Sequence, residues 1–288
     1  MNSIWGGSGD NAYFKGETFD RNRKLLLAEY EGSKKTGARG SYYILGIDIG
    51  RTLDRTVVTV LKVNPQPTGF PIINVCNIYN YEKMHIEDQC LIFRKLHQLY
   101  KPEALVIDGN GIGINYIDIL TRSQTDPETG ETFPGLGVIN DTKGEFKKIK
   151  DDLVIDNAIY RVVANSVFNT EMYSNMQVLL NSNKVKFLIE SKEAKAKLLA
   201  TARGQKMRAE ERDRYLVPYN MTDVLKEELL NLRETTEGFN IKLERVNRGI
   251  HKDKVSSLGM ALWYVKFIVE DLKRKRKKFA ASDWLFLN

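Results

Sequence analysis

Three aspartates sit at the ends of apolar segments, where together they could hold a hard cation. Asp48 closes the run Leu45-Gly46-Ile47-Asp48-Ile49-Gly50, Asp108 closes Leu105-Val106-Ile107-Asp108-Gly109, and Asp253 opens an amphipathic stretch just after His251-Lys252. Carboxylates a few ångströms apart repel, and one is driven toward its protonated form. A divalent cation between them reverses that logic and keeps them ionised. With three histidines and two cysteines in 288 residues, any metal would be held mainly by carboxylate oxygen, which suits Mg²⁺ or Mn²⁺ better than zinc. Each acid also has a plainer reading. An Asp after a strand commonly hydrogen-bonds its own turn, and Asp253 is what the start of a helix favours. Asp54, in the loop after Asp48, either reaches the same place or caps its turn. His251 would assist proton transfer or leaving-group departure, or simply lie on the surface.

Whether the acids meet depends on the elements that carry them. Residues 43–49 and 56–63 are β-branched runs joined by a polar loop, and 72–79 is a third, after a Pro/Gly-rich turn at 64–69. Their short connections make an antiparallel meander, so the first and third point the same way. Ile86, Leu91, Phe93, Leu96 and Leu99 recur at helical spacing until Pro102, and 104–107 is then a short apolar strand. A crossover through that helix makes the new strand parallel to the first. As neighbours about 4.8 Å apart, the two strands would bring Asp48 and Asp108 together at one rim of the sheet.

Further along, the pattern predicts a helix over 112–122, a turn or hairpin tip at 125–130 and a fifth strand at 136–140. Residues 158–164 read as strand rather than helix. Helices are expected over 171–180, 192–208 and 223–232, and a strand over 241–245. In the last helix Val255, Leu258, Leu262, Val265, Ile268 and Leu272 share one stripe. That stripe must lie on the sheet and could deliver Asp253 to the same rim. The expected fold is α/β: a mixed sheet of five or more strands, antiparallel meander first and parallel strands after, with helices on both faces. Residues 1–40, punctuated by glycines, read as a linker or arm with one helical stretch around 21–31. Residues 41–272 form the domain, and 273–288 a basic C-terminal tail.

The formal charge is +7, from 44 Lys and Arg against 37 Asp and Glu. The excess concentrates between residues 184 and 214 and in the unbroken run Lys273, Arg274, Lys275, Arg276, Lys277 and Lys278. Such a balance favours a polyanionic partner, because neutralising phosphates releases condensed counterions. No apolar run approaches the roughly 18 residues needed to cross a bilayer, so no membrane partner is expected. Two cysteines are too few for a disulfide framework and point to a reducing, intracellular setting. Hydride transfer is set aside: Gly109-Asn110-Gly111-Ile112-Gly113 does not follow the first strand of the domain, as a dinucleotide-binding turn does.

In their order, three segments resemble the nuclease domain of the large terminase subunit of tailed bacteriophages. They are Gly46-Ile47-Asp48-Ile49-Gly50 with Asp54, then Val106-Ile107-Asp108-Gly109-Asn110-Gly111, then Lys252-Asp253-Lys254-Val255-Ser256-Ser257-Leu258-Gly259-Met260-Ala261-Leu262. The likeness covers about residues 42–270, although Ser256-Ser257-Leu258-Gly259 stands where the family commonly has Asp-Ala-Leu-Ala. It implies a ribonuclease H-like fold and a catalytic, metal-binding triad of Asp48, Asp108 and Asp253. Asp48 would bridge two Mg²⁺ or Mn²⁺ ions, and Asp108 and Asp253 would each hold one. The implied activity is endonucleolytic cleavage of double-stranded DNA, cutting concatemeric genomes during packaging in the cytoplasm of the infected bacterial host. Lys252, Lys254, Lys273, Arg274, Lys275 and Arg276 would position DNA through its phosphates, with little sequence preference. The resemblance also implies a terminase ATPase domain, a small terminase subunit and a portal as partners. The Gly-rich phosphate loop of a packaging ATPase is not in this sequence. Two other readings compete: a junction-resolving or transposase-like nuclease of the same fold, and a non-catalytic DNA-binding or motor-docking module.

Overall fold

The computed structural model describes residues 12–33, 40–50, 55–146, 156–237 and 240–285. It begins with α1 (Gly16–Arg21) and a short strand, β1 (Arg23–Leu25). The expected meander follows as β2 (Tyr42–Asp48), β3 (Arg55–Asn64) and β4 (Ile72–Glu82), each strand antiparallel to the one before. Helix α2 (Ile86–Tyr100) ends at Lys101, which takes a left-handed conformation (φ 47°) ahead of Pro102. The chain then enters β5 (Ala104–Asp108), parallel to β2. Next come α3 (Gly113–Leu120), the small hairpin β6 (Gln124–Thr125) and β7 (Thr132–Phe133), then β8 (Leu136–Val138) and β9 (Asp156–Val162). The remainder is α4 (Ser166–Asn181), β10 (Val185–Leu188), α5 (Ser191–Leu199), α6 (Ala202–Lys206), α7 (Ala209–Leu230), the hairpin β11 (Leu232–Glu237) and β12 (Asn240–Arg245), and α8 (Asp253–Leu285).

Among the described residues, eight strands form one mixed sheet in the order β1-β10-β4-β3-β2-β5-β9-β8. Side chains alternate along each strand, and here both faces are apolar. From β2 and β5, Ile44, Ala104 and Val106 join the core beneath α4, α7 and α8. Leu45, Ile47, Leu105 and Ile107 join the core beneath α2 and α3. Helices therefore cover both faces, as the order of elements implied. Asp48 and Asp108 continue the even-numbered series, so both lie on the face that α8 covers.

Elsewhere the structure revises the sequence reading. Residues 12–33 do not stand off as an arm: Phe14 and Phe19 are buried, Phe19 stacks on Phe187 at 4.1 Å, and β1 pairs with β10 at the sheet edge. The helix expected around 21–31 is replaced by α1, which ends at Asn22, whose amide donates to Thr18 and Leu180 carbonyls. The strand expected over 136–140 is β8, which lies at the sheet edge outside β9, and β9 is the strand beside β5. Helix α4 starts five residues early because the Asn165 side chain accepts the Phe168 N–H at 2.8 Å and caps it. The helix expected over 192–208 is broken at Thr201, whose hydroxyl caps α6. Helix α7 is longer than expected and carries Pro218 within it. Helix α8 runs unbroken across residue 272, so Lys273 and Arg274 belong to the helix and not to a separate tail.

Candidate active site

The register between β2 and β5 is the first fact of the site. Ile47 pairs with Ile107, so Asp48 and Asp108 are the next residues of two parallel neighbours, at the same rim and on the same face. On the other side of Asp108, Val162 of β9 is its register partner. Asp108 Oδ1 accepts the Asn110 N–H at 3.0 Å and the Ala164 N–H at 3.4 Å. The turn reading of this acid is therefore correct as far as it goes. Both bonds use one carboxylate oxygen and leave the other outside them.

The third acid arrives because α8 presses hard onto the meander. Gly46 is the contact point: a Cβ there would stand 2.0 Å from the Ser257 carbonyl oxygen and 2.8 Å from the Ala261 Cβ. Only a glycine lets the helix backbone come so close to the strand. On β3, the Thr59 and Ser257 hydroxyls are 2.6 Å apart and fully buried, pinning the same turn of helix. On the α4 side, Gly259 leaves room for Met172 and Met176. These contacts set the first turn of α8, with Asp253 as its first residue, above the end of β2.

Asp48 lies within electrostatic reach of the other two acids. Burial pushes the Asp48 carboxyl up to about 7; the Asp253 charge adds to this, the Lys252 charge opposes it, and the Asp108 charge and a hydrogen bond from Ser256 act more weakly in opposite senses. Tyr173 of α4 is pushed up to about 12, first by burial and then by the charge of Asp48. His251 Nδ1 lies 3.5 Å from Asp253 Oδ2, so the histidine joins the site as a neighbour of the third acid. Asp54 lies outside the described residues. Among the described residues, no three His, Cys, Asp or Glu side chains are gathered closely enough to hold a metal ion.

The lysines expected to position DNA separate sharply. Lys252 is exposed beside the acids. Lys254 is not available to DNA at all: its side chain is 2% exposed and its Nζ sits 3.1 Å from Glu228 Oε1. This corrects the reading from sequence, and the reason is helical geometry. Lys254 falls on the same stripe as Leu258 and Ala261 and points into the core. Lys273 and Arg274 are exposed, but 20 residues of helix put them about 30 Å from Asp253. Lys275 and Arg276 continue α8, their side chains lying outside the described part.

Sequence reasoning missed Glu228, Ser256 and Thr59. Glu228 had a signal: it is a carboxylate among Leu225 and Leu229 on the buried stripe of α7. The two hydroxyls had none, since serine and threonine are ordinary in helices and strands.

Similarity to known structures bears on the fold. No family model matches the sequence, and no curated protein does. Among solved structures, the fold is similar to the large terminase nuclease of thermophilic phage G20c with bound magnesium, at TM-score 0.50 and 17% identity, over 88% of this chain and 97% of that one. The large terminase nuclease domain of Thermus phage P74-26 (TM-score 0.41, 15% identity, 82% and 90% covered) and the HK97 bacteriophage large terminase (TM-score 0.45, 9% identity) also match. The chain spans 43% of the HK97 protein. The mixed eight-stranded sheet with helices on both faces is thus similar in fold to that phage nuclease. At such identities it is the fold that is shared. Among the described residues no helix is long and apolar enough to cross a membrane.

Proposed function

We propose that the chain is a metal-dependent endonuclease acting on double-stranded DNA, the nuclease part of a phage large terminase that cuts concatemeric genomes during packaging. The observation that carries this reading is the Ile47–Ile107 register, which sets Asp48 and Asp108 side by side on the face covered by α8. Asp48, Asp108 and Asp253 would hold two Mg²⁺ or Mn²⁺ ions, and the donor chemistry suits them: hard carboxylate oxygens, and a half-buried Asp48 whose charge is costly beside other acids unless a cation offsets it. When bound, such ions activate water and stabilise the leaving oxygen of a phosphodiester. The chain's own part is to hold the acids in place, to orient Asp253 through His251, and to draw a phosphate toward the rim with exposed Lys252. Lys273, Arg274, Lys275 and Arg276 would then meet the duplex far from the cut. The ATPase domain, small subunit and portal remain the partners this role calls for, in the host cytoplasm.

Plasmid cleavage tests the proposal. Linearisation should require Mn²⁺ or Mg²⁺, stop with EDTA, and fall at least about 10³-fold in Asp48→Asn and in Asp108→Asn, as expected when a metal-held hydrolytic step is lost. Cutting that survives both substitutions defeats the assignment. Strong preference for four-way junctions over linear duplex would favour a junction-resolving enzyme instead.

A further inference from the structure

Glu228 and Lys254 are 1% and 2% exposed. Burying two charges is costly, and an apolar pair of similar volume stabilises a protein at least as well. The pair therefore needs another reason, and its hydrogen bonds supply one. Glu228 Oε2 accepts the backbone N–H of Lys254 at 2.9 Å and of Val255 at 3.3 Å, while Oε1 takes the Lys254 ammonium. The first N–H groups of a helix lack intrahelical partners, and a side chain just before the helix normally satisfies them. Lys252 holds that position here and has no oxygen to offer; its carbonyl accepts the Ser256 N–H at 3.0 Å. Glu228, reaching across from α7, performs the capping in its place. The approach to α8 is fixed as well: the Asn231 amide exchanges two bonds of 2.8 Å with the backbone of Asn247.

We propose that Glu228 is a positioning residue for Asp253, its carboxylate fixing the first turn of α8 so that the third acid stays at the rim. The inference rests on the function proposed above. It asks what Asp253 needs from α7, and it assigns to Glu228 a role that stability alone does not require.

Two double variants of the full chain separate capping from stability, read by Mn²⁺ titration calorimetry without DNA and by thermal unfolding in EDTA. Glu228→Leu with Lys254→Met replaces the pair by apolar groups and removes the cap. Glu228→Gln with Lys254→Met is equally neutral but keeps an oxygen where the N–H groups need it. Both should unfold within a few degrees of the unsubstituted protein. The Leu/Met variant should bind Mn²⁺ about 10–100-fold more weakly, as when a residue supporting a metal ligand is lost, and the Gln/Met variant should recover most of that affinity. Unchanged Mn²⁺ affinity in the Leu/Met variant, or equal losses in both, would overturn the proposal. Asp253→Asn is the control. If it loses Mn²⁺ and Leu/Met does not, only the positioning role falls; if Asp253→Asn binds Mn²⁺ normally, the site assignment falls and the positioning role with it.

Discussion

The two ends of β2 face opposite problems. At its start, Tyr43 donates to Glu29, Lys62 pairs with both Glu29 oxygens at 2.9 and 3.1 Å, and the Glu29 carbonyl accepts from Tyr100 at 2.6 Å and Asn77 at 3.1 Å. Every partner in that knot meets a complementary group. At its far end, half-buried Asp48 feels the charges of two other acids, with Lys252 and Ser256 only partly opposing them. One strand thus joins a stabilising end to an end that is electrostatically costly on its own terms. Polar groups that satisfy one another contribute to the fold, and polar groups left unmatched mark where something else is meant to bind.

The largest test of this contrast is at Gly46, which couples the strand to α8. Strand propensity alone would accept alanine there, but the added Cβ would strike the Ser257 carbonyl. Gly46→Ala should cost about 3 kcal/mol, the upper range for overpacking, measured by urea unfolding, and should weaken Mn²⁺ binding because Asp253 is carried away with the helix. At the other end, Glu29→Ala should cost about 1–3 kcal/mol, the range for leaving buried polar groups unpaired, yet leave the rate of DNA cleavage per folded molecule unchanged. Equal effects of the two substitutions on cleavage would erase the distinction between the ends.

A smaller effect comes from an acid whose surroundings resemble the first end rather than the second. Asp126 is held down to about 2 by the Lys95 ammonium, with the Glu128 N–H and the Thr129 hydroxyl adding to it. Its folded value lies below the unfolded carboxylate value of about 4, so its contribution is complete above that pH and fades as pH falls through about 2. Asp126→Asn should therefore be less stable at pH 7, and its unfolding midpoint should vary less between pH 4 and 2. An unaltered acid limb would show that the Lys95 contact contributes nothing.

Much of this was legible in the sequence because it depends on local pattern. The β-branched runs marked β2, β3 and β4, Pro102 marked the end of α2, and the apolar stripe from Val255 marked α8. Connection rules made β5 parallel to β2, and the structure adds that the two are neighbours. Other features depend on contacts between distant segments. Phe14 and Phe19 sit in a glycine-punctuated stretch, and only the core under α4 and α7 shows that they are buried. Lys254 looked like a DNA contact because its partner lies 26 residues earlier, on another helix. A single acid and a single base on two apolar stripes are a recognisable sign of a buried pair, though the sequence alone does not say that they meet.

A crystal grown with Mn²⁺ and mapped by anomalous scattering tests the main claim most directly. The account predicts manganese within about 2 Å of carboxylate oxygens from both Asp48 and Asp108, the distance for such hard-cation ligands, with Asp253 contributing to the same cluster. Manganese bound elsewhere, or none at this rim at millimolar concentration, would contradict it.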